Sequence, residues 1–558
     1  MPVSAYDTVS LRDRLLAAAI AGRGETQLRA ETIGRPTDAQ STFGYQVAEE
    51  NPVCNGDFCI HYVASTKDAP ALEDADHDGV PDSVQAVLAV LDEARTLLLS
   101  RGHSYHGIDD GSRGGDPRMD VYLAAVDGFH GLAVPEQIVS ESPTRMSSFM
   151  LVNVGLTPVP LSLLSRGVIA HELKHTFDVA TFASAPAWLF ESAATWFENE
   201  MNDESSSYAD FFPCWFLFPE LSLDSTRSDA YPPDARDTQS CVFKNTHLYG
   251  SAAFWFYATG RWGAELQGDL WTAAGERCGD LPLFEDSVKL RSCVAEVLDD
   301  LFVDRGTTLA DVYADFAAAM YQPRQSSVLL DVESDAELEA WPERAYARKL
   351  VTLPASGSTV VKHLASRYFT LSAAPDQSGR LDLGLTVTGS QPVRVQLLRS
   401  DGSGDGSWED VSLAPDGTAT HSIAGFGVQT TQVTFVVTNV GTAVEDGAAD
   451  SAAVAYSVTL DEDDKSDAIP KAAYAPGASP TARGCTVAFR SATDASGGFL
   501  LLLGAAVFLR RRVRTRRRRW SELFLLALET PTSERAATRL RPSSIARDRG
   551  WLAASQRP

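Results

Sequence analysis

The sequence predicts an α+β domain with a mixed sheet and a helical half, then an all-β sandwich, then a tail that is first apolar and then arginine-rich. Strand-like alternation in "FCIHYV" and "MDVYLAAV" flanks a helical pattern in "VPDSVQAVLAVLDEARTLLLSRG". Helical patterns dominate residues 161–345. In residues 349–460, short alternating runs of Val, Thr, Ser and Gly between turn signals favour a sandwich of about seven or eight strands.

A chain of 558 residues is too long for one hydrophobic core, so several domains are expected. Changes in composition divide the chain into an N-terminal arm or pro-region (1–45), the α+β domain (46–345), the sandwich (346–462), a disordered linker (463–496), a hydrophobic and arginine-rich tail (497–519) and an unassigned extension (520–558). The linker is acidic and rich in Pro and Ala, a composition that does not build a packed core.

The charge of the chain is unevenly distributed. Residues 1–509 hold 34 basic and 70 acidic side chains, a net charge of −36, and only the tail is basic. Such a surface repels phosphate, so it argues against nucleic acid as a partner. This excess of acidic side chains is consistent with a solvated surface or with binding of divalent cations.

Six of the seven cysteines fall into close sequential pairs. The simplest pairing is Cys54–Cys59, Cys214–Cys241 and Cys278–Cys293, although other pairings are open. Disulfides favour an oxidising, exported location. The opening "MPVSAYDTVSLRDRLLAAAIAG" does not fit a signal peptide, because its apolar stretch is short and follows charges of mixed sign. Either the true start lies upstream, or export is wrong.

The C-terminal tail has the features of a membrane stop. Its apolar run, residues 497–509, is shorter than the roughly 20 residues that span a bilayer, but eight arginines follow within ten residues. A buried helix with a basic end is the alternative. A cysteine before a Gly- and Leu-rich run and an arginine cluster resembles the myxobacterial C-terminal sorting tail of exported surface proteins. This resemblance implies processing and anchoring at Cys485, although such tails normally end the protein and here residues 520–558 follow.

The segment "HELKH" carries the clearest chemical signal. His171 and His175 are four residues apart, so both imidazoles project from one face of a helix and can bind one divalent metal. Glu172 lies beside the first histidine, where its carboxylate can reach a metal-bound water. This pattern predicts a catalytic zinc site with Glu172 as general base.

Such a zinc site needs a third protein ligand. The segment "PAWLFESAATWFENE" predicts a second helix, and Glu191 is the candidate ligand because the small residues after it allow close helix packing. Glu198, nearly two turns later and on roughly the same face, is the alternative.

A second metal site is predicted in "DADHDGVPDS", which resembles an EF-hand loop. Its expected calcium ligands are Asp74, Asp76, Asp78, Asp82 and the carbonyl of Val80. Gly79 occupies the turn position, but Gln85 replaces the bidentate Glu of such loops, so weaker binding is expected. A plain acidic turn before the next helix is the alternative.

The segments "CIHYVAS", "DADHDGVPDSVQ", "RMDVYLA", "HELKHTF" and "WLFESAATWFE" together resemble a myxobacterial family of secreted metalloproteases of the gluzincin type. The resemblance covers residues 45–345 and implies a zincin-like fold and a zinc-dependent endopeptidase acting on proteins or peptides. It implies His171, His175 and Glu191 as ligands.

The chain departs from the thermolysin-like pattern, in which an Asp four residues after the ligand Glu supports a histidine. Thr195 occupies that position here, so support is expected from Thr195, Asp178, Glu198 or a backbone carbonyl. An oxyanion donor is expected in "NTHLYGSAAFWFYATGRWG", with Tyr249 as first choice and His247 as second, although either could simply pack in the core.

The strand "SSFMLVNV" is expected to be the sheet edge that pairs with an extended peptide. A hypothesis from a different class is also open, in which the chain is a calcium-stabilised surface binding or adhesion protein with a non-catalytic zincin fold. Zinc-dependent hydrolysis of a bond other than a peptide bond is a weaker alternative. All of these hypotheses place the protein outside the cell, either secreted or anchored at the surface.

Overall fold

A computed structural model describes residues 33–39, 41–104, 113–115, 117–126, 128–141, 144–202, 207–225, 246–279, 288–324, 339, 341–401, 406–442 and 450–464. The predictions for Cys241, Cys485, the arginine-rich tail and the extension lie outside these residues, as does nearly all of the linker. Within them the chain has mixed α and β content, as the sequence predicts.

The N-terminal sheet is mixed and has the order β1-β2-β3-β5-β4. Its strands are β1 (Val53–Cys54), β2 (Phe58–His61), β3 (Met119–Ala124), β4 (Gly131–Glu141) and β5 (Thr144–Asn153). β2, β3 and β5 are parallel, and β4 returns antiparallel to β5 as a hairpin. The hairpin puts β4 at the edge, so the expectation that "SSFMLVNV" in β5 is the edge strand is wrong.

The helical half packs against this sheet through one shared hydrophobic core. Its helices are α1 (Asp82–Ser100), α2 (Leu163–Phe182), α3 (Ala187–Met201), α4 (Phe212–Leu217), α5 (Thr246–Gly250), α6 (Ala252–Trp262), α7 (Glu265–Cys278), α8 (Val288–Asp304) and α9 (Leu309–Tyr321). Ser162 caps α2 by accepting from Ser165 N–H, and Pro186 precedes α3 as expected. Almost every residue of α3 is buried, so this helix is central to the core.

The C-terminal strands form two sheets around a second core, and their strands are antiparallel except for one parallel pair. Their strands are β6 (Ala347–Lys349), β7 (Ala355–Lys362), β8 (Ala365–Ser372), β9 (Gly379–Thr388), β10 (Val393–Ser400), β11 (Trp408–Asp410), β12 (Thr418–Phe426), β13 (Gln432–Asn439) and β14 (Ser451–Asp461). The orders are β11-β10-β13-β8-β6 and β12-β9-β14-β7. Alternate residues of β14 are buried, as expected for a strand with one face in a core.

Two predicted disulfides are confirmed. Cys54–Cys59 joins paired positions of β1 and β2, and Cys278–Cys293 joins α7 to α8. Cys214 is also disulfide-bonded, and its expected partner Cys241 lies outside the described residues. Among the described residues, no helix combines the length and the apolar character needed to cross a membrane.

A buried ion pair connects the sandwich to the helical half. His363 Nε2 lies 2.8 Å from Asp224 Oδ1, and His363 Nδ1 lies 3.5 Å from Asp450 Oδ2. Arg291 lies 3.4 Å from the same Asp224 oxygen. Burial alone would lower the pKa of His363, but the two carboxylates outweigh it and raise the pKa to about 9.

This pair predicts a loss of stability at alkaline pH. The pKa of His363 is higher in the folded protein than in the unfolded chain. Its contribution to the free energy of unfolding is therefore complete below about pH 6.5 and is lost as the pH rises through about 9. The loss is on the order of 3 kcal/mol. Between pH 6 and pH 10, the thermal unfolding temperature of the parent should therefore fall more steeply than that of His363→Gln. The sandwich variant His421→Gln is the control, and equal slopes for the parent and His363→Gln would contradict the prediction.

Candidate metal centre

The two histidines of "HELKH" lie on one face of α2, as their spacing predicts. The ring centroids of His171 and His175 are 4.7 Å apart and the planes are nearly perpendicular, at 89°. His175 is 2% exposed at its side chain, whereas His171 is 12% exposed. The pair therefore has one buried and one more accessible imidazole.

Glu191 of α3 completes the group. Its Oε2 lies 3.4 Å from His171 Nε2 and 3.6 Å from His175 Nε2, and one ligand atom from each residue lies within 4.8 Å of the other two. Burial would raise the pKa of Glu191, but the two histidines outweigh it and hold the pKa well below its usual range. Two imidazole nitrogens and one carboxylate oxygen are donors that zinc takes in catalytic sites. The three residues therefore fit a divalent metal.

Glu172 lies against the edge strand. Its Oε2 accepts a hydrogen bond of 2.8 Å from the Ala133 N–H of β4. Burial raises the pKa of Glu172, and the positive charge of the neighbouring histidines only partly offsets this. A Cβ added at Gly131 would lie 2.8 Å from Glu172 Cγ. The strand thus leaves room for this carboxylate because position 131 has no side chain, a feature that sequence reasoning missed.

Glu198 contacts His171 but lies outside the group of three candidate ligands. Its Oε1 lies 2.8 Å from His171 Nδ1, the ring nitrogen that faces away from Glu191. A carboxylate on the second nitrogen orients a metal-binding imidazole and raises its basicity. Of the two roles expected for Glu198, the geometry therefore favours support over direct ligation.

Asp178 and Thr195, the other residues expected to support a histidine, differ in their contacts. Asp178 Oδ2 lies 3.7 Å from His175 Nδ1, an ion-pair distance, and Asp178 Oδ1 pairs with the buried Lys174. Thr195 is fully buried, and its hydroxyl has no hydrogen-bond partner among the described residues. The structure therefore gives Thr195 no supporting contact to a histidine.

The two candidate oxyanion donors lie in different surroundings. Tyr249 of α5 is half-buried and its ring is stacked near that of His171, with centroids 6.3 Å apart. His247 is buried, its Nε2 donates to the Ser222 carbonyl at 2.9 Å, and its ring lies against Trp215. Burial lowers the pKa of His247 to about 4. His247 thus follows the alternative of a histidine packed in the core.

The acidic loop before α1 brings three of its predicted ligands together. One carboxylate oxygen from each of Asp74, Asp76 and Asp78 lies within 4.8 Å of the others. Gly79 has φ +90°, a conformation that favours glycine at this turn.

The rest of the loop is held by local hydrogen bonds. The Val80 N–H donates to Asp78 Oδ1 at 2.8 Å, and the Gln85 amide donates to Asp78 Oδ2 at 2.7 Å. The Asp82 carboxylate accepts from the Ala75 N–H at 3.2 Å, so it closes the loop and lies outside the group of three.

No family model and no curated protein matches the chain. Among solved structures, PliG of Aeromonas hydrophila, a periplasmic inhibitor of g-type lysozyme, is 12% identical and has a TM-score of 0.16, covering 20% of this chain and 97% of its own. The Yersinia pseudotuberculosis-derived mitogen is 13% identical with a TM-score of 0.14, covering 21% and 93%. The family GH115 glucuronidase BtGH115A is 10% identical with a TM-score of 0.13, covering 65% and 54%. Scores this low carry no argument about fold or function.

Proposed function

We propose that the chain is a zinc metallopeptidase of the gluzincin type with a zincin-like N-terminal domain. The observation that carries the proposal is the approach of Glu191 Oε2 to within 3.4 Å of His171 Nε2 and 3.6 Å of His175 Nε2. These three residues would hold the zinc, and Glu172 lies beside them on α2. The three proposed ligands and the proposed base therefore lie close together.

Zinc, when bound, polarises the scissile carbonyl and activates water. Glu172 takes a proton from the attacking water and passes it to the leaving amine. Tyr249 is the candidate to donate a hydrogen bond from its hydroxyl to the developing oxyanion, because its ring lies next to that of the more accessible histidine.

The edge strand β4 is the proposed binding strand for an extended peptide. β4 has β5 on one side and no strand on the other in the described sheet, and Ala133 of β4 contacts Glu172 directly. Main-chain hydrogen bonds to such an edge bind peptides of many sequences. A substrate there would lie beside the proposed base.

We further propose a structural calcium ion in the loop of Asp74, Asp76 and Asp78, where it would fix the start of α1. The loop fits because carboxylate oxygens ring a hard cation around a glycine turn. The disulfides suggest an extracellular protein. Secretion or anchoring at the cell surface, with Cys485 as the processing position, is part of the same proposal.

Cleavage of casein by the purified chain tests the proposed reaction. A chelator should abolish cleavage, and added zinc should restore it. Fragment masses should show hydrolysis of peptide bonds. Tight zinc binding without any cleavage of proteins or peptides would instead favour a non-catalytic surface binding protein.

Replacing Glu198 by glutamine is expected to weaken zinc binding by about 10–100-fold, because His171 loses the carboxylate on its second nitrogen. Thr195→Val is the matched control on the same helix and should bind zinc like the parent, since that hydroxyl has no partner. Competition with a chromophoric chelator measures both affinities. A larger loss in Thr195→Val than in Glu198→Gln would contradict the assignment.

Replacing Gly131 by alanine is expected to lower kcat by up to about 10²-fold with zinc retained, because the added Cβ would push the Glu172 carboxylate out of place. At Gly56 an added Cβ meets no atom within 4 Å, so Gly56→Ala is the control. Steady-state kinetics and zinc content should be measured together. Unchanged kcat in Gly131→Ala would show that this close contact does not position the base.

A further inference from the structure

A cavity of about 670 Å³ opens where α4, the end of α9 and β6 meet. Its volume lies within the range of small-molecule sites, which often form where structural layers meet. None of the residues that line it belongs to the candidate metal centre. The proposed peptidase reaction therefore leaves this cavity without a role.

The floor of the cavity is apolar, aromatic and well anchored. Phe216, Tyr321 and Trp341 line it, and each is at most 3% exposed. The Phe216 carbonyl accepts from the Tyr346 N–H at 2.8 Å, and the Tyr321 hydroxyl accepts from Thr434 Oγ1 at 2.9 Å. These hydrogen bonds hold the floor residues in place, so the cavity is formed without a ligand.

The charged side chains of the described lining are cationic. Among the residues that the structure describes, Arg324, Arg344 and Lys349 line the cavity and no carboxylate does, although the whole chain has a net charge of −26. Arg324 is held in place by donating to the Trp341 carbonyl at 2.8 Å. Arg344 and Lys349 are exposed and form no ion pair within the described part of the chain. Two cations are thus available to a ligand beside an apolar floor.

We propose that this cavity binds a small amphipathic carboxylate, with its apolar part on the aromatic floor and its carboxylate at Arg344 and Lys349. The charge of the lining selects an anion. The apolar floor selects a hydrocarbon or aromatic body over a sugar phosphate, whose hydroxyls would lose their hydration there. The ligand class is therefore a fatty or aromatic acid.

The test uses a dansylated undecanoic acid as fluorescent probe with the full chain. The probe should bind with a rise in emission, and dodecanoate should displace it at a concentration at least tenfold lower than dodecyltrimethylammonium, which has the same chain and the opposite charge. The double variant Arg344→Ser with Lys349→Ser should lose at least tenfold in probe affinity. Lys362→Ser, an exposed lysine elsewhere on the sandwich, is the control and should bind like the parent.

A second variant, Ala347→Trp, fills the cavity from β6 and should also abolish binding, with thermal unfolding used to confirm that each variant is folded. Equal displacement by the anionic and cationic detergents would overturn the proposal, because it would show binding by apolar contact alone. Loss of binding in Lys362→Ser as large as that in the double variant would overturn it as well, and so would absence of binding to the folded parent. A nucleoside phosphate that displaces the probe better than dodecanoate would also contradict the assigned ligand class.

Discussion

Replacing Glu172 by glutamine is expected to lower kcat/KM for peptide cleavage by about 10²–10⁴-fold while zinc remains bound. Glutamine has the shape of glutamate and can still accept from the Ala133 N–H through its amide oxygen, but it cannot take up a proton. Because Glu172 is not among the three grouped ligands, the metal should stay in place. A quenched fluorescent peptide measures the rate, and mass spectrometry measures the zinc.

Glu200→Gln provides a matched control. Glu200 lies on the neighbouring helix α3 and pairs with Arg101 at 2.8 Å, so its loss should leave cleavage near the parental rate. A Glu172→Gln variant that cleaves as fast as the parent would rule out Glu172 as the base. A parent that holds zinc but cleaves no peptide would support the surface binding hypothesis.

Replacing Arg35 by methionine is expected to lower the free energy of unfolding by about 3–5 kcal/mol, because it leaves buried carboxylates without their cation. Arg35 is 1% exposed and pairs with Asp120, and with Glu136 at 2.6 Å. Asp120 also accepts from His61 Nε2 at 2.8 Å. Burial alone would lower the pKa of His61, but the carboxylates of Asp120 and Glu49 outweigh it and raise this pKa to about 8.

Urea unfolding followed by tryptophan fluorescence measures the loss, with Arg35→Lys as a milder variant that keeps the charge. Arg277→Met removes a half-exposed arginine paired with Glu296 at 2.7 Å, and should cost at most about 1 kcal/mol. An Arg35→Met loss no larger than that of Arg277→Met would contradict the prediction.

This network also bears on the N-terminal boundary. The sequence predicts an arm or pro-region over residues 1–45, but Arg35 lies inside the fold, and Ile33 packs in a small core with Tyr122 and Phe149 of the sheet. Removal of a segment that included Arg35 would expose or unpair these groups. A pro-region that leaves a stable protein would therefore have to end before Ile33.

The grouping of the three candidate ligands could be predicted from sequence because its geometry is local. Spacing along one helix puts His171 and His175 on one face, and a second amphipathic helix with a close-packing patch brings Glu191 to them. The choice between Thr195 and Glu198 could not be made in this way. Both lie on α3 one turn apart, and only the packing of α3 on α2 decides which one reaches His171.

The edge strand and the Arg35 network could not be predicted because they depend on pairing between distant residues. The order of strands in a sheet is not written in the alternation of any one strand, so β4 and its contact from Ala133 to Glu172 were missed. Arg35 and Glu136 are 101 residues apart. The sandwich could be predicted from the alternating pattern of its sequence, but about seven or eight strands were expected and nine are described. β6 and β11 have only three residues each, too few to form a recognisable pattern.

The zinc content of the purified chain tests the central claim most directly. Parent protein, dialysed against zinc and then against buffer, should retain a single zinc ion, and His175→Ala and Glu191→Ala should each retain almost none. His421→Ala, in the sandwich, should retain as much as the parent. A parent without bound zinc, or a Glu191→Ala variant that keeps it, would contradict the proposed metal centre.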